Sequence, residues 1–262
     1  MVDALPYVLT VSGSDSSGGA GVQADNRAIL RAGGFPLNVV TALTLQTPQG
    51  VGGVEVVPAV VVERQMRALL SAYPVGAIKL GMLATSETVR CVGCVLQDFP
   101  DVAAVLDPVF CSTSGRALLE SAGIDAMRDQ LMPLVRLTTP NLDELAALLG
   151  RKTVDRADVL AAGAELAQQV RSAVLVKGGH GEGDLSEDFL FECEGGHKTY
   201  SAPRVASANT RGTGCALSAW IAARVACGDS LAYAVEGAKS ALTQALVAQA
   251  ARPWVGPGPA FL

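Results

Sequence analysis

Short apolar runs of strand length alternate along this chain with longer stretches in which apolar residues return every three or four positions. The runs predict strands over 8–11, 37–41, 77–80, 103–106, 136–138 and 173–176. The helical period predicts helices over 21–31, 61–71, 85–97, 125–131, 142–149 and 157–169. Strands that alternate with helices imply βαβ crossovers. The expected fold is therefore α/β, a mostly parallel central sheet flanked by helices on both faces. Two later runs, 189–191 and 198–201, lie either side of Glu194-Gly195-Gly196 and predict a small antiparallel edge hairpin. Two Ala-rich helices, over 215–227 and 231–251, follow. No repeat or low-complexity linker interrupts the pattern, so residues 1–262 are expected to form one domain.

Ligands of such sheets bind beyond the carboxyl ends of the strands. The polar punctuation sits there. Gly13-Ser14-Asp15, Gly81-Met82, Asp107-Pro108, Thr139-Pro140-Asn141 and Lys177-Gly178-Gly179 each follow a strand and should converge on one rim.

Composition narrows the partners. Half the residues are apolar and 17% are charged, ordinary for a globular protein. The uncharged residues 35–54 contain Gln46, Pro48, Gln49 and three glycines, too polar and broken for a membrane span. The N-terminus lacks a basic region before its first apolar run, so it reads as a strand and the expected location is cytoplasmic. A net charge of -5 argues against a nucleic-acid partner but not against phosphate ligands, which need only a local positive site. The six cysteines show no disulfide framework. Cys91 and Cys94 form a C-x-x-C without a second pair or nearby histidines, and are expected one turn apart on the buried face of a helix.

The most informative motif is Asn209-Thr210-Arg211-Gly212-Thr213-Gly214-Cys215, which opens a helix with no charge from Ala216 to Ala223. Its glycines let successive N–H groups point one way, and the helix dipole adds positive potential. Phosphoryl transfer needs such a turn, because the migrating group spreads negative charge over its oxygens. The plainer alternative is a tight loop entering a buried helix. Cys215 lies in the first turn, where the helix end lowers a thiol pKa, so it is either a thiolate base or a small core residue. The stretch from Gly13 to Gly21 is a glycine-rich strand-to-helix turn, neither a dinucleotide fingerprint nor a P-loop. Asp25 follows it in the first turns of a helix, a position that already suits a carboxylate. Asn141 and Glu144 read equally as a helix-capping box and as oxygen groups near the waters of a Mg²⁺ ion. Lys177, one of five lysines, ends an apolar strand and either faces phosphates or points into water. Lys239 reads as a surface residue of the last helix. His180 and His197 have no ligand partners in sequence.

Taken in order, GSDSSGGAGVQAD (13–25), TALTLQ (41–46), KLGML (79–83), LDPV (106–109), TPNLDE (139–144), VKGGH (176–180) and NTRGTGC (209–215) resemble one family across nearly the whole chain. It is the bacterial hydroxymethylpyrimidine/phosphomethylpyrimidine kinases, ribokinase-like enzymes of thiamine biosynthesis. The resemblance implies a ribokinase-like fold, a homodimer, ATP with Mg²⁺ as cosubstrate, and a small pyrimidine alcohol phosphorylated once and then again. By the same resemblance Gly13, Ala20, Asp25, Gln46, Met82 and Val109 line the pyrimidine pocket. Gly212, Thr213, Gly214 and Cys215 supply the anion hole and base. Asn141, Glu144, Lys177, Thr210 and Lys239 contact the nucleotide, and Asp107 with Glu144 reaches the metal through water.

A cysteine at this turn resembles the pyrimidine kinases and the pyridoxal kinases related to them, whereas related sugar kinases carry an aspartate. A pyridoxal kinase is thus the alternative enzyme, and a catalytically silent ligand-binding protein the alternative of another class. The chain departs from the family at Thr47-Pro48, at Cys111-Ser112-Thr113, in the tail after Trp254, and at Arg211, where the family often has histidine. Arg211 either touches a phosphate or faces solvent.

Overall fold

The computed structural model of the chain describes residues 5–47, 49–112, 115–179 and 183–260, so Pro48, Thr113 and His180 lie outside it. The first half runs β1 (Tyr7–Asp15), α1 (Gly21–Arg31), β2 (Phe35–Thr47), β3 (Gly50–Val56), α2 (Ala59–Ala72), β4 (Val75–Leu80), α3 (Ser86–Asp98) and β5 (Ala103–Leu106). Then come α4 (Ser121–Ala126), β6 (Leu137–Thr138), α5 (Leu142–Leu149), α6 (Arg156–Val170), β7 (Ala173–Lys177), β8 (Leu185–Phe191), β9 (His197–Pro203), α7 (Thr213–Ala226) and α8 (Leu231–Gln249). Among the described residues the strands form one sheet in the order β3-β2-β1-β4-β5-β6-β7-β8-β9. The six strands β2, β1, β4, β5, β6 and β7 are parallel, and β8 with β9 adds the expected antiparallel hairpin.

Period-two alternation divides each strand between two cores. Leu9, Val11, Ile78, Leu80 and Leu106 pack with Met66 of α2, Val92 of α3, Leu145 of α5 and Leu166 of α6. Val8, Ala77 and Val105 face the other way, onto Ile29 of α1, Ile221 of α7 and Val235 of α8. Small residues let α7 lie close to the sheet: Ala216, Ala219, Ala222 and Ala223 are all buried.

Three expectations need correction. β3 was not foreseen, because Gly50, Gly52 and Gly53 leave no alternating side chains; it pairs antiparallel with an extension of β2 at the second edge. The helix expected over 125–131 starts at Ser121 and widens into a π-turn, Met127–Leu131, before a 3-10 turn containing Pro133. Cys91 and Cys94 do not lie on the buried face of α3, which is Thr88, Val89, Val92, Gly93, Val95 and Leu96; Cys91 is half-buried and Cys94 exposed.

The connection order places the crevice. From β1 the chain steps to β2 on one side, then returns to place β4 on the other. Adjacent connections therefore leave the carboxyl ends of β1 and β4 in opposite directions, the switch point at which α/β sheets bind ligands.

Candidate active site

A cavity of about 380 Å³ opens over these carboxyl ends. Near β1, β2 and β4 it is lined by Gly13, Ala20, Gln46 and Met82, with Val109 after β5. Gly13 matters for space, since a Cβ there would lie 3.0 Å from the Met82 sulfur. At the centre are Asp107, Asn141, Glu144, Lys177 and the turn from Gly212 to Cys215; Thr210 also lines the cavity. Toward α8 the walls are Ser186, Asp188, Val205, Lys239, Leu242 and Leu246. The five strand-end motifs thus meet on one rim.

Gly212 is the N-cap of α7 in the left-handed region, φ 73°, where an L side chain is strained. A Cβ there would also collide with the Gly19 carbonyl oxygen. No side chain caps this helix, so the N–H groups of Thr213, Gly214 and Cys215 are left for an anion. Gly214 brings them against charge: a Cβ on it would sit 3.1 Å from Lys177 Nζ and 3.4 Å from Asp107 Oδ2. Of the forces acting on the Cys215 thiol, burial outweighs the helix end. Burial pushes it up to about 11, and Lys79 and the Gly21 N–H pull it back only in part.

Lys177 is not in water. Its ammonium lies 2.6 Å from Asp107 and 3.8 Å from Glu144. Burial works against the charge, but Asp107 and Glu144 outweigh it and raise the Lys177 pKa. Burial likewise opposes Asp107 ionisation, yet Lys177 and Lys79 hold its carboxyl below the usual range. Glu144 goes the other way, to about 7, because its burial exceeds the help from Lys177. The capping box forms as one of its two readings expected: Glu144 N–H donates to Asn141 Oδ1 at 2.8 Å, and Asn141 N–H donates to Glu144 Oε2 at 2.7 Å. Lys239 is not a surface residue either. It is buried, 2.8 Å from Asp188 and donating to Ser186 Oγ at 2.9 Å.

Of the residues that the resemblance assigns to pocket, anion turn, nucleotide or metal, Asp25 alone does not line the cavity. It is fully buried, its oxygens 2.8 and 2.9 Å from Lys79 Nζ and 2.6 Å from the Thr10 hydroxyl. Burial raises its pKa and Lys79 opposes the rise. Lys79 itself was missed. It too is fully buried, and carboxylates and Cys215 together lift its pKa above the ordinary value against the pull of burial. Its signal was present in the sequence: a lone charge inside an apolar strand, at the same parity as Ala77. Asp188, which also receives the Gly178 N–H at 3.0 Å, had no such signal.

The family described as phosphomethylpyrimidine kinase matches residues 15–259. A hydroxymethylpyrimidine/phosphomethylpyrimidine kinase of Streptomyces coelicolor is 42% identical over 93% of this chain and 89% of its own length. The crystal structure of a phosphomethylpyrimidine kinase from Clostridium difficile superposes with a TM-score of 0.80 at 32% identity, covering 92% of this chain and 99% of that one. A pyridoxal kinase from Staphylococcus aureus, solved with AMP-PCP and pyridoxal, superposes with a TM-score of 0.87 at 29% identity, covering 98% and 93%.

Proposed function

The chain belongs to the phosphomethylpyrimidine kinase family, and we propose that it moves the terminal phosphoryl group of ATP onto 4-amino-5-hydroxymethyl-2-methylpyrimidine. The monophosphate is then phosphorylated again, giving the diphosphate used in thiamine biosynthesis. Residues 1–262 act as one kinase domain of a cytoplasmic homodimer. Among the described residues no helix is long and apolar enough to cross a membrane.

The observation that carries this reading is the continuity of one cavity past the bare amides at the start of α7. The acceptor occupies the end lined by Gly13, Ala20, Gln46, Met82 and Val109, with Gln46 facing its polar edge and Met82 and Val109 its ring. The nucleotide lies toward Lys239, Leu242 and Leu246, with Thr210, Asn141 and Glu144 along its phosphates. Between them the Gly212–Cys215 turn receives the migrating group, whose equatorial oxygens gain most from fixed donors. As the acceptor oxygen bonds to phosphorus, the bond to the bridging oxygen of ADP breaks. Cys215, through the small fraction ionised at neutral pH, takes the hydroxyl proton in the first transfer. In the second transfer the attacking phosphate oxygen is already ionised, so no base is required.

Asp107 and Glu144 offer carboxylate oxygens, and Asn141 an amide oxygen, on the protein side. No group of three His, Cys, Asp or Glu among the described residues could cage a metal ion. That donor set suits Mg²⁺ held through its own waters, a cation that seldom uses an all-protein cage. When bound it would draw charge from the triphosphate.

A second reading, phosphorylation of pyridoxal, is favoured by the likeness of the fold to a pyridoxal kinase. One panel separates the possibilities: ADP release with Mg²⁺-ATP and hydroxymethylpyrimidine, its monophosphate, pyridoxal or ribose, with products identified by mass. Turnover of the two pyrimidines is expected. Turnover of pyridoxal alone would establish the second reading, and no turnover at all would mark a silent ligand-binding protein.

A further inference from the structure

Arg211 sits inside the anion turn, yet it does not line the cavity. Its guanidinium donates from Nη2 to Asp15 Oδ2 and to Ser17 Oγ, both at 2.7 Å. The group lies on Gly19, where a Cβ would be 2.8 Å from Cζ. Asp15 is nearly fully buried and ties up the glycine-rich loop 15–20. Its carboxylate accepts the N–H groups of Ser17, Gly19 and Ala20 at 2.8–3.0 Å, and the Ser17 hydroxyl at 2.7 Å. The Arg211 backbone is held by the tail: its N–H donates to Gly258 O at 3.2 Å, and the Ala260 N–H donates to its carbonyl at 3.0 Å.

We propose that Arg211 is a positioning residue, which fixes the glycine-rich loop of the acceptor end against the anion turn where the phosphoryl group is transferred. The proposal rests on the assignment of the acceptor to the Gly13–Gln46 end. One residue joins three segments: tail, turn and loop. Its neighbour Gly212 already touches Gly19 backbone to backbone, so a shift of loop 15–20 changes the gap that the reacting atoms must cross. With Arg211 gone, Asp15 keeps four donors and the chain keeps its fold. What is lost is alignment.

The test uses the full chain with Arg211→Met, Asp15→Asn, Arg211→Lys and the Met/Asn double variant. Alignment alone is worth large factors in rate, so Arg211→Met should lower kcat for the pyrimidine alcohol roughly tenfold. KM for ATP should stay within about twofold, as for a site not in contact with the change. Asp15→Asn should act in the same direction, and the double variant should be no slower than the slower single. Arg211→Lys, which can still reach Asp15, should recover most of the rate. Hydrogen exchange at the Gly19 and Ala20 amides should accelerate in Arg211→Met, with no substrate present. A rise in KM for ATP, losses that multiply in the double variant, or unchanged exchange at those amides would each overturn the proposal. Absence of pyrimidine turnover by the unaltered protein would instead remove the functional reading and leave the exchange result as the test of the latch.

Discussion

Replacing Lys79 by methionine removes the ammonium that spans both oxygens of Asp25. Neither side chain is exposed, and only the Thr10 hydroxyl would remain to the carboxylate. Breaking one side of a buried pair typically costs about 3–5 kcal/mol. An upper bound follows from the alternative of protonating Asp25. Its ordinary value is 3.8, so at about pH 7 neutralisation spans roughly 3 pH units at about 1.4 kcal/mol each, or about 4 kcal/mol. The sign with pH is fixed. In the variant the folded chain binds a proton that the unfolded chain has released, so stability falls as pH rises above the unfolded value. The deficit against the native chain should therefore shrink to about 2 kcal/mol near pH 5. Urea unfolding at both pH values reads this directly. A deficit below about 1 kcal/mol, or one indifferent to pH, would refute the picture of a dry, charge-separated pair. Adding Asp25→Asn to Lys79→Met should restore stability and abolish the pH dependence. Because Lys79 is also the largest influence pulling the Cys215 thiol down, Lys79→Met should slow alkylation of Cys215, followed by peptide mass.

Three further outcomes concern the chemistry. If the Cys215 thiolate is the base, kcat for the pyrimidine alcohol should climb about tenfold per pH unit below the thiol's value of about 11. Turnover of the monophosphate should be nearly flat and survive Cys215→Ala; equal losses of both transfers would exclude this division. Glu144 titrates near 7 in the folded chain because burial raises it, so its protonated form favours folding at acid pH and that contribution is lost as pH rises through about 7. The value of kcat/KM for Mg²⁺-ATP should rise over the same range as the carboxylate forms, and Glu144→Gln should flatten the profile while keeping a helix cap. Gly214→Ala would press a methyl to 3.1 Å from Lys177 Nζ, so about a tenfold or greater loss of kcat is expected with little change in melting temperature; an unchanged kcat would show that Lys177 can give way.

The sheet and most of its helices were legible because periodicity reports burial. α1 and α5 fall at their expected limits for that reason, each bounded by its own turn chemistry. β3 was illegible because glycine carries no side chain with which to alternate. The rim could be read from punctuation after each strand, since ligand loops and strand ends coincide in this architecture. Charge pairing could not. Lys239 lies four residues after Val235 and next to Ala238, on a buried stripe of α8, and it took the distant Asp188 to explain a lysine there. Asp25 follows the same logic: the resemblance implies a cavity wall, while Lys79, 54 residues away, draws it beneath the surface. At Cys215 helix position and burial act on the thiol in opposite directions, and their ranking depends on packing that residues distant in sequence supply.

These pairs share one arrangement. Lys79–Asp25, Lys177–Asp107, Lys239–Asp188 and Arg211–Asp15 border the site, each at 2.6–2.8 Å. A bare ammonium in such a cleft would attract ATP and ADP alike, and uniform binding of that kind does not raise kcat. Paired with an aspartate, each cation projects little more than a dipole, whose field fades within a short distance. The α7 amides are also dipoles, but in the proposed reaction they point at the place where charge moves between donor and acceptor. A chain of net charge -5 can then hold a triphosphate without a basic surface, because its attraction is short in range. Loop 15–20, the anion turn and the tail must consequently keep their spacing closely, which is where the Arg211 latch acquires its importance.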